Sequence, residues 1–328
     1  MESNPLSASS GSSAAGQGRR NLTVLLAFRG WMNEDMSCPG CDLTSDTSLS
    51  PIADAVVFHI PTTPTRIPLP KMPGQTWVAW CMESDSNYPQ LADARFMSQF
   101  DLTMTYRRDS DVVTGYCDGA YWLPFQPPPL APQRLREPAP AVYIASSRVD
   151  RSGRTRYVRE LMQHLPIDSY GRSLRNRALP HDEGRKSKLD TIARYHFTLA
   201  FENSISLDYV TEKFYDPLLV GSVPVYLGAP NVAEHAPAAN CYIDVRDFVG
   251  PAELAGHLIA LAADEQRYNQ LLQWRTQPLD RQFLANVREQ RQPALCRLCR
   301  LLGERCQNAL QPTRAATPRP YSPDDPTP

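Results

Sequence analysis

Short runs of apolar residues recur along the first third of the chain, each bounded by polar or turn-forming residues. Such runs are typical of strands in a parallel sheet, because helices cover both faces of that kind of sheet and bury its strands. Four runs lie at residues 22–28, 53–59, 76–80 and 102–106. We therefore predict an α/β domain with a parallel sheet over residues 21–138.

A proline-dense stretch at residues 124–140 follows and is typical of an extended linker. After it the pattern restarts, and apolar runs now alternate with segments of helical period. Strands are predicted at residues 141–145, 198–201 and 224–227, and helices at residues 154–164, 211–220, 253–263 and 265–274. The alternation predicts a second α/β domain over residues 139–280, so the expected fold class is two doubly wound, Rossmann-like domains.

The two ends of the chain carry no periodic apolar pattern. Residues 1–20 are rich in serine, glycine and alanine, and residues 307–328 repeat proline too often for a helix or a central strand. Both segments are predicted to be disordered tails, and the first lacks the pattern of a secretory signal. The longest apolar run, at residues 22–28, is far shorter than the ~20 residues that span a bilayer.

The charge balance argues against two classes of partner. The 328 residues include 34 lysines and arginines and 35 aspartates and glutamates, which gives a net charge of −1. No global field therefore draws the chain to nucleic acid or to an anionic membrane, and any bound anion must be met by a local site. We expect a cytoplasmic or peripheral membrane location, or the Golgi lumen if the natural protein has an anchor that this chain lacks.

The densest group of polar residues lies at 201–214, where a predicted strand ends in a loop and a helix begins with Thr211 as its cap. Backbone N–H groups at such a helix start attract anions. Lys213 is one of four lysines in the chain and lies in the first helical turn, where a cation opposes the helix dipole unless a phosphate is nearby. A surface Glu–Lys pair on an ordinary helix is the alternative.

A cluster of arginines leads into the helix predicted at residues 154–164. It consists of Arg148, Arg151, Arg154 and Arg156. Guanidinium groups that lie together near a helix start can hold a diphosphate through paired hydrogen bonds. The alternative is a basic face in contact with solvent.

Glu83 follows the strand predicted at residues 76–80. Because the carboxyl ends of parallel strands line the clefts of α/β proteins, Glu83 is a candidate general base. Asp109 and Asp111 have the spacing of a divalent-cation chelate, but arginines beside them offer ion-pair partners and favour a structural role. The six histidines show no H-x-x-x-H pair, so a histidine-based metal site has no support.

Two C-x-x-C pairs lie near the ends of the chain, Cys38 with Cys41 and Cys296 with Cys299. Four such cysteines are typical of a tetrahedral zinc site or of two disulfides. Their separation by about 250 residues argues against a compact zinc ribbon and fits a C-terminal helix, over residues 281–306, that returns to the first domain. A cytosolic location would favour zinc or free thiols, whereas an oxidising compartment would favour disulfides.

These segments together resemble the alpha-1,3-fucosyltransferase family. The resemblance covers most of residues 22–306 and is strongest in residues 195–204, YHFTLAFENS, and residues 208–213, DYVTEK. Shorter matches lie at residues 82–87, 106–111, 154–157, 168–171 and 296–299. The resemblance implies a GT-B glycosyltransferase, in which two Rossmann-like domains face each other across a cleft, with the acceptor bound mainly by the first domain and GDP-fucose by the second.

The resemblance also implies roles for individual residues. Glu83 matches the proposed base. Positions that contact the donor are matched by Arg154, Asn203, Tyr209, Glu212 and Lys213, and further donor or structural positions by Tyr170 and Glu202. Such a transferase inverts the anomeric carbon and needs no divalent metal or other cofactor, which agrees with fixed cations supplying the charge that the departing diphosphate requires.

The expected reaction transfers L-fucose from GDP-β-L-fucose, in α-1,3 linkage, to the GlcNAc or Glc of an N-acetyllactosamine-like glycan. The acceptor would be a glycoprotein, a glycolipid or a lipopolysaccharide. Two alternatives stay open. One is a GT-B transferase of another nucleotide sugar, because a diphosphate site alone does not read the base or the sugar. The other is a zinc-stabilised scaffold protein built on the two C-x-x-C pairs, which leaves Glu83 and residues 202–213 unexplained.

Overall fold

The computed structural model describes residues 20–28, 37–117, 119–123, 137–179 and 181–310. The strands of this part of the chain are β1 Leu22–Leu26, β2 Cys41–Thr44, β3 Ala55–His59, β4 Thr76–Cys81, β5 Leu102–Thr105, β6 Val112–Val113, β7 Ala141–Tyr143, β8 Ile167–Ser169, β9 Phe197–Phe201, β10 Val223–Leu227 and β11 Ile243–Asp244. The α-helices are α1 Ala94–Met97, α2 Gly119–Trp122, α3 Arg154–Leu161, α4 Arg185–Ile192, α5 Glu212–Val220, α6 Pro251–Ala263, α7 Glu265–Gln270, α8 Arg281–Gln290 and α9 Ala294–Leu310. None of the described helices combines the length and the apolar composition that crossing a membrane requires.

The first sheet has six strands in the order β2-β1-β3-β4-β5-β6, and every neighbouring pair is parallel. The strands β1, β3, β4 and β5 confirm the four predicted runs. They were visible in the sequence because both faces are buried, as for Val24, Leu25 and Leu26, which are at most 1% exposed. The edge strands β2 and β6 have only 4 and 2 residues and therefore carry too little pattern to be predicted.

The second sheet has five parallel strands in the order β11-β10-β9-β7-β8. Its strands β7, β9 and β10 were predicted, whereas the short edge strands β8 and β11 were not. Apolar residues of α3 and α6, among them Val158, Leu161, Leu254 and Leu258, share one buried core with this sheet. The parallel α/β architecture expected on both sides of the linker is therefore what the structure shows.

The segment predicted as a returning helix at residues 281–306 consists of two helices. α8 packs through Phe283 and Val287 into the core around Trp274, beside the second sheet. Pro293 follows α8 and cannot continue it, because proline lacks a backbone N–H. α9 then crosses to the first sheet, where its apolar side chains share a core with those of β1 and β3.

The predicted tails and linker lie mostly outside the described residues. The exceptions are residues 307–310, which form the last turn of α9 and so shorten the predicted C-terminal tail, and Arg20. The guanidinium of Arg20 pairs with the Asp54 carboxylate at 2.7 Å. Of the proline-rich stretch, residues 137–140 are described, and they lead directly into β7.

The return of α9 brings the two C-x-x-C pairs together. Cys38 and Cys296 form a disulfide with a Cα–Cα distance of 4.9 Å. Cys41 and Cys299 are buried free thiols within hydrogen-bond distance of each other. The predicted proximity of the pairs is confirmed, and for Cys38 and Cys296 the structure shows a disulfide and not the zinc alternative. Within the described residues, no group of three or more His, Cys, Asp and Glu side chains is arranged to hold a metal ion.

Candidate active site between the two sheets

Loops from both sheets surround a cavity of about 660 Å³. The loop after β4 supplies Glu83, Asn87 and Tyr88, and the loops after β7 and β9 supply residues 147–151 and Asn203. These loops follow the carboxyl ends of parallel strands, where open α/β folds bind their ligands. The volume falls within the range of roughly 300–1,000 Å³ that is usual for small-molecule pockets.

Glu83 is half-buried on the wall of this cavity. The chain turns sharply after β4, and the Asn87 backbone N–H donates to the Ser84 carbonyl at 2.9 Å. The hydroxyl of Tyr209, from the other side of the cleft, donates to Glu83 Oε2 at 3.2 Å. The structure therefore places the predicted base in a cavity that both domains line.

The loop between β9 and α5 is organised around a buried carboxylate. Glu202 is 0% exposed and accepts hydrogen bonds from the Thr211 backbone N–H at 2.8 Å and from the Thr211 hydroxyl at 2.8 and 2.9 Å. Thr211 also caps α5, as predicted, because its hydroxyl oxygen accepts from the Lys213 backbone N–H at 3.3 Å. Glu202 thus holds the two ends of this loop together through its hydrogen bonds to Thr211. This contact fits the structural role that was expected for Glu202 as an alternative to a donor contact.

Lys213 is surrounded by acceptors. Its Nζ lies 3.4 Å from Glu202 Oε2 and 3.2 Å from Glu212 Oε1. It also donates to Thr211 Oγ1 at 2.9 Å. Burial disfavours the ammonium form, but the two carboxylates outweigh this effect and raise the pKa of Lys213 above its usual value. The predicted cation in the first turn of α5 is therefore permanent, although Lys213 does not line the cavity that contains Glu83.

Arg154 is 1% exposed, and its guanidinium binds backbone carbonyls. Nη1 donates to the Phe201 carbonyl at 3.0 Å, and Nη2 donates to the carbonyls of Val149 at 3.3 Å and Ser147 at 3.5 Å. These bonds tie the loop after β7 to the end of β9. In this structure Arg154 supports the cavity from behind and is not part of its wall.

Arg148 and Arg151 lie on the cavity wall and are exposed. In the part of the chain that the structure describes, neither guanidinium forms an ion pair with a carboxylate. The start of α3 behind them already has an acceptor, because Asp150 Oδ2 receives the Thr155 backbone N–H at 3.1 Å. The predicted arginine cluster therefore does not act as one group. Arg154 lies behind the cavity, whereas the positively charged side chains of Arg148 and Arg151 line it.

The remaining predicted residues take different places. Asn203 lines the cavity, and its side-chain oxygen accepts from Asn87 Nδ2 at 3.4 Å, across the two sheets. Glu212 lies in the first turn of α5 beside two lysines and away from the cavity wall. The Tyr170 hydroxyl is 2.9 Å from that of Tyr195, which in turn donates to a buried aspartate. Of the residues that the resemblance assigns to the site, Glu83 and Asn203 therefore line one cavity. Tyr170, Glu202, Tyr209, Glu212, Lys213 and Arg154 do not line it.

Two models of known protein families match this chain. The fucosyltransferase N-terminal model matches residues 19–117, and the model of the glycosyltransferase family 10 (fucosyltransferase) C-terminal region matches residues 136–314. The chain belongs to glycosyltransferase family 10, the fucosyltransferases. The interval between the two matches contains most of the predicted linker of this fucosyltransferase-family chain.

Curated relatives of this family 10 chain include two kinds of fucosyltransferase. GDP-fucose protein O-fucosyltransferase 3 of Canis lupus familiaris is 36% identical over 224 residues, which are 64% of this chain and 46% of that protein. Alpha-(1,3)-fucosyltransferase 7 of Rattus norvegicus is 38% identical over 242 residues, which are 72% of this chain and 61% of that protein. The chain thus spans about half the length of the first of these relatives.

Solved alpha1,3-fucosyltransferase structures share the fold of this family 10 chain. A structure with GDP-fucose superposes with a TM-score of 0.55 at 17% identity, covering 80% of this chain and 85% of that one. A structure with GDP gives 0.54 at 16% identity, covering 81% and 84%. Identity at this level establishes the fold alone, and it confirms the predicted GT-B architecture of two Rossmann-like domains.

Some residues of the site were not predicted from the sequence of this family 10 chain. Tyr88 and Val149 line the cavity, and Tyr116 packs against Tyr209. Tyr88 directly follows the matched motif at residues 82–87, so its place in the loop after β4 could have indicated that it lines the site. The contact of Tyr116 with Tyr209 could not be predicted from the sequence, because it joins segments that are far apart along the chain.

Proposed function

We propose that this chain transfers L-fucose from GDP-β-L-fucose to an acceptor hydroxyl with inversion at the anomeric carbon. The observation that carries the proposal is that one cavity is lined both by Glu83 from the first domain and by Arg148 and Arg151 from the second. A displacement at the sugar needs a base for the incoming oxygen and positive charge for the departing diphosphate. The side chains around this cavity can supply both.

In the proposed step, the acceptor oxygen forms a bond to C1 of fucose while the bond from C1 to the β-phosphate oxygen breaks. The acceptor proton passes to a carboxylate oxygen of Glu83, and GDP leaves with the electron pair of the broken bond. Arg148 and Arg151 stabilise the charge of the departing diphosphate, and Lys213 adds a permanent positive charge at the start of α5. We propose that these fixed cations take the place of a divalent metal, so that none is essential.

Two acceptor classes are candidates. The GlcNAc of an N-acetyllactosamine-like glycan, modified in α-1,3 linkage, is supported by the similarity to Alpha-(1,3)-fucosyltransferase 7. A hydroxyl of a protein is supported by the similarity to GDP-fucose protein O-fucosyltransferase 3. Exposed apolar side chains in the loops after β7 and β9 also favour a protein surface: Val149 is 40% exposed, Ile205 52% and Leu207 41%.

A screen of donors against acceptors tests the proposal. GDP-fucose, GDP-mannose and UDP-galactose are each incubated with N-acetyllactosamine and with a panel of folded, unglycosylated protein domains. We expect transfer from GDP-fucose only, and the acceptor that is modified selects between the two candidates. Turnover of another nucleotide sugar in preference to GDP-fucose would overturn the proposal.

Glu83→Gln tests the proposed base, because glutamine keeps the shape of the side chain and removes its basicity. We expect kcat to fall by about 100-fold or more, with the affinity for GDP-fucose little changed. Glu160→Gln, an exposed position on α3, is the matched control and should turn over normally. A stable Glu83→Gln enzyme with normal kcat would remove Glu83 from the mechanism.

A further inference from the structure

Tyr209 belongs to the second domain, but its side chain packs against the first. It is 2% exposed, and its ring meets Tyr106 edge-on, with the centroids 5.0 Å apart, and Tyr116 at 6.1 Å. The hydroxyl donates to Glu83 Oε2 at 3.2 Å. The family resemblance implies a donor contact for Tyr209, yet its side chain does not line the cavity and its hydroxyl is bonded to the proposed base.

The backbone around Tyr209 is fixed to its own domain. The Tyr226 hydroxyl donates to the Tyr209 carbonyl at 3.3 Å. The preceding residue, Asp208, has a φ of 64°, in the left-handed region, and its N–H donates to Asn231 Oδ1 at 3.0 Å. A conformation of this kind persists only where its surroundings hold it. The position of the Tyr209 hydroxyl therefore follows the position of the second domain.

Contacts on both sides of Tyr209 join the same two domains. The Ser206 hydroxyl donates to the Asp85 carboxylate, and Arg108 pairs with Glu234 at 2.5 Å. The bond from Tyr209 to Glu83 is therefore one of several that form when the two domains meet along this edge. If the domains separate, Glu83 loses this partner.

The Tyr209 hydroxyl can act only as a donor to Glu83. Burial is the main cause that raises the pKa of Tyr209, and the negative charges of Glu83 and Glu202 raise it further, so the phenol stays protonated. An ionised carboxylate is an acceptor without a proton to donate. The hydrogen bond thus orients the carboxylate.

We infer that Tyr209 is a positioning residue that orients Glu83 for proton transfer and does so only while the two domains are closed on each other. This inference rests on the proposed role of Glu83 as the base. The loop that carries Tyr209 leads directly into α5, where Lys213 lies. Any movement of the second domain away from the first therefore also takes the Tyr209 hydroxyl from Glu83.

Tyr209→Phe tests the inference, because it removes the hydroxyl and keeps the ring. We expect kcat to fall about 10- to 100-fold, as for a misplaced catalytic group, with KM for GDP-fucose and the melting temperature little changed. Tyr106→Phe is the matched control. Its hydroxyl belongs to the same aromatic cluster but contacts Ser206 and the Asp85 backbone N–H, so kcat should stay close to that of wild type.

Other outcomes separate the inference from the function on which it rests. A Tyr209→Phe enzyme with a raised KM for GDP-fucose but an unchanged kcat makes Tyr209 a donor contact and overturns its positioning role. If Glu83→Gln abolishes turnover while Tyr209→Phe behaves like wild type, the inference alone fails. If Glu83→Gln itself turns over normally, Glu83 is not the base, and the inference falls with the proposed mechanism, whereas the donor screen still decides the proposed function.

Discussion

Lys213 Nζ lies 3.4 Å from Glu202 Oε2, and Glu202 is completely buried. Lys213 is therefore the counter-ion of a carboxylate that solvent does not reach. A buried charge without its partner is strongly destabilising. Lys213 thus has a structural task within its own loop, whatever it contributes to the binding of GDP.

Lys213→Met should lower the free energy of unfolding by roughly 3 kcal/mol, because it leaves Glu202 without its counter-ion. The double variant Glu202→Gln/Lys213→Met should regain most of this loss, since neither charge is then buried alone. Urea unfolding measures both. GDP-fucose affinity is then compared between the double variant and Glu202→Gln, and weaker binding by the double variant isolates the contribution of the ammonium. A single variant as stable as wild type would contradict the ion pair.

Substitution of the buried Arg154 should affect stability, whereas substitution of Arg148 or Arg151 on the cavity wall should affect kinetics. Arg154→Ala should lower the melting temperature, because three backbone carbonyls lose their buried donor. Arg148→Ala and Arg151→Ala should leave the melting temperature unchanged and reduce kcat/KM for GDP-fucose by about 10- to 100-fold, the usual cost of one charge-assisted hydrogen bond. Arg159→Ala, an exposed position on α3, is the control. Normal kinetics in both Arg148→Ala and Arg151→Ala would place the diphosphate elsewhere.

His235 and Asp208 should make stability depend on pH. His235 Nε2 lies 3.0 Å from Asp208 Oδ1, and burial lowers the pKa of His235 despite this carboxylate. The folded protein therefore resists protonation of His235 more than the unfolded chain, whose histidine titrates near pH ~6.5. This contribution is complete above that pH and is lost as the pH falls towards the folded pKa. Burial acts to raise the pKa of Asp208, but its hydrogen bonds outweigh burial and lower it, so its contribution is lost only at more acidic pH.

His235→Gln should therefore show a smaller fall in the free energy of unfolding between pH 7.5 and 5.5 than wild type. Urea unfolding at the two pH values measures the difference. His181→Gln, at an exposed position, should behave like wild type. If the free energy of unfolding falls equally in wild type, His235→Gln and His181→Gln, protonation of His235 is not the cause of the pH dependence.

The disulfide between Cys38 and Cys296 should stabilise the whole chain, because it joins residues 258 positions apart. Cys38→Ser should lower the free energy of unfolding by about 2–4 kcal/mol. The double variant Cys38→Ser/Cys296→Ser should lose no more than the single one. Cys306→Ser, which changes an exposed free thiol, should have no effect. Peptide mapping without reductant checks the link directly, and alkylation of both Cys38 and Cys296 in the native protein would contradict it.

The strands β1, β3, β4, β5, β7, β9 and β10 could be predicted because a strand buried on both faces is a short, continuous apolar run, which is a local property of the sequence. The cap of α5 by Thr211 was predictable for a similar reason, since capping chemistry lies within one helical turn. The edge strands β2, β6, β8 and β11 could not be predicted. Their pairing depends on a neighbouring strand and not on a pattern of their own.

By itself, the sequence determined the two α/β domains, Glu83 as the candidate base and the place of the arginine cluster in the loop after β7. Tertiary structure decided which arginine does what: Arg154 turns inward to three carbonyls, whereas Arg148 and Arg151 reach the cavity. It also decided that Tyr209 bonds to Glu83. The physical reason is that residue type and spacing fix which chemical groups are available. The direction of each side chain is set by packing and hydrogen bonds with segments that are distant in sequence and meet only in the folded chain.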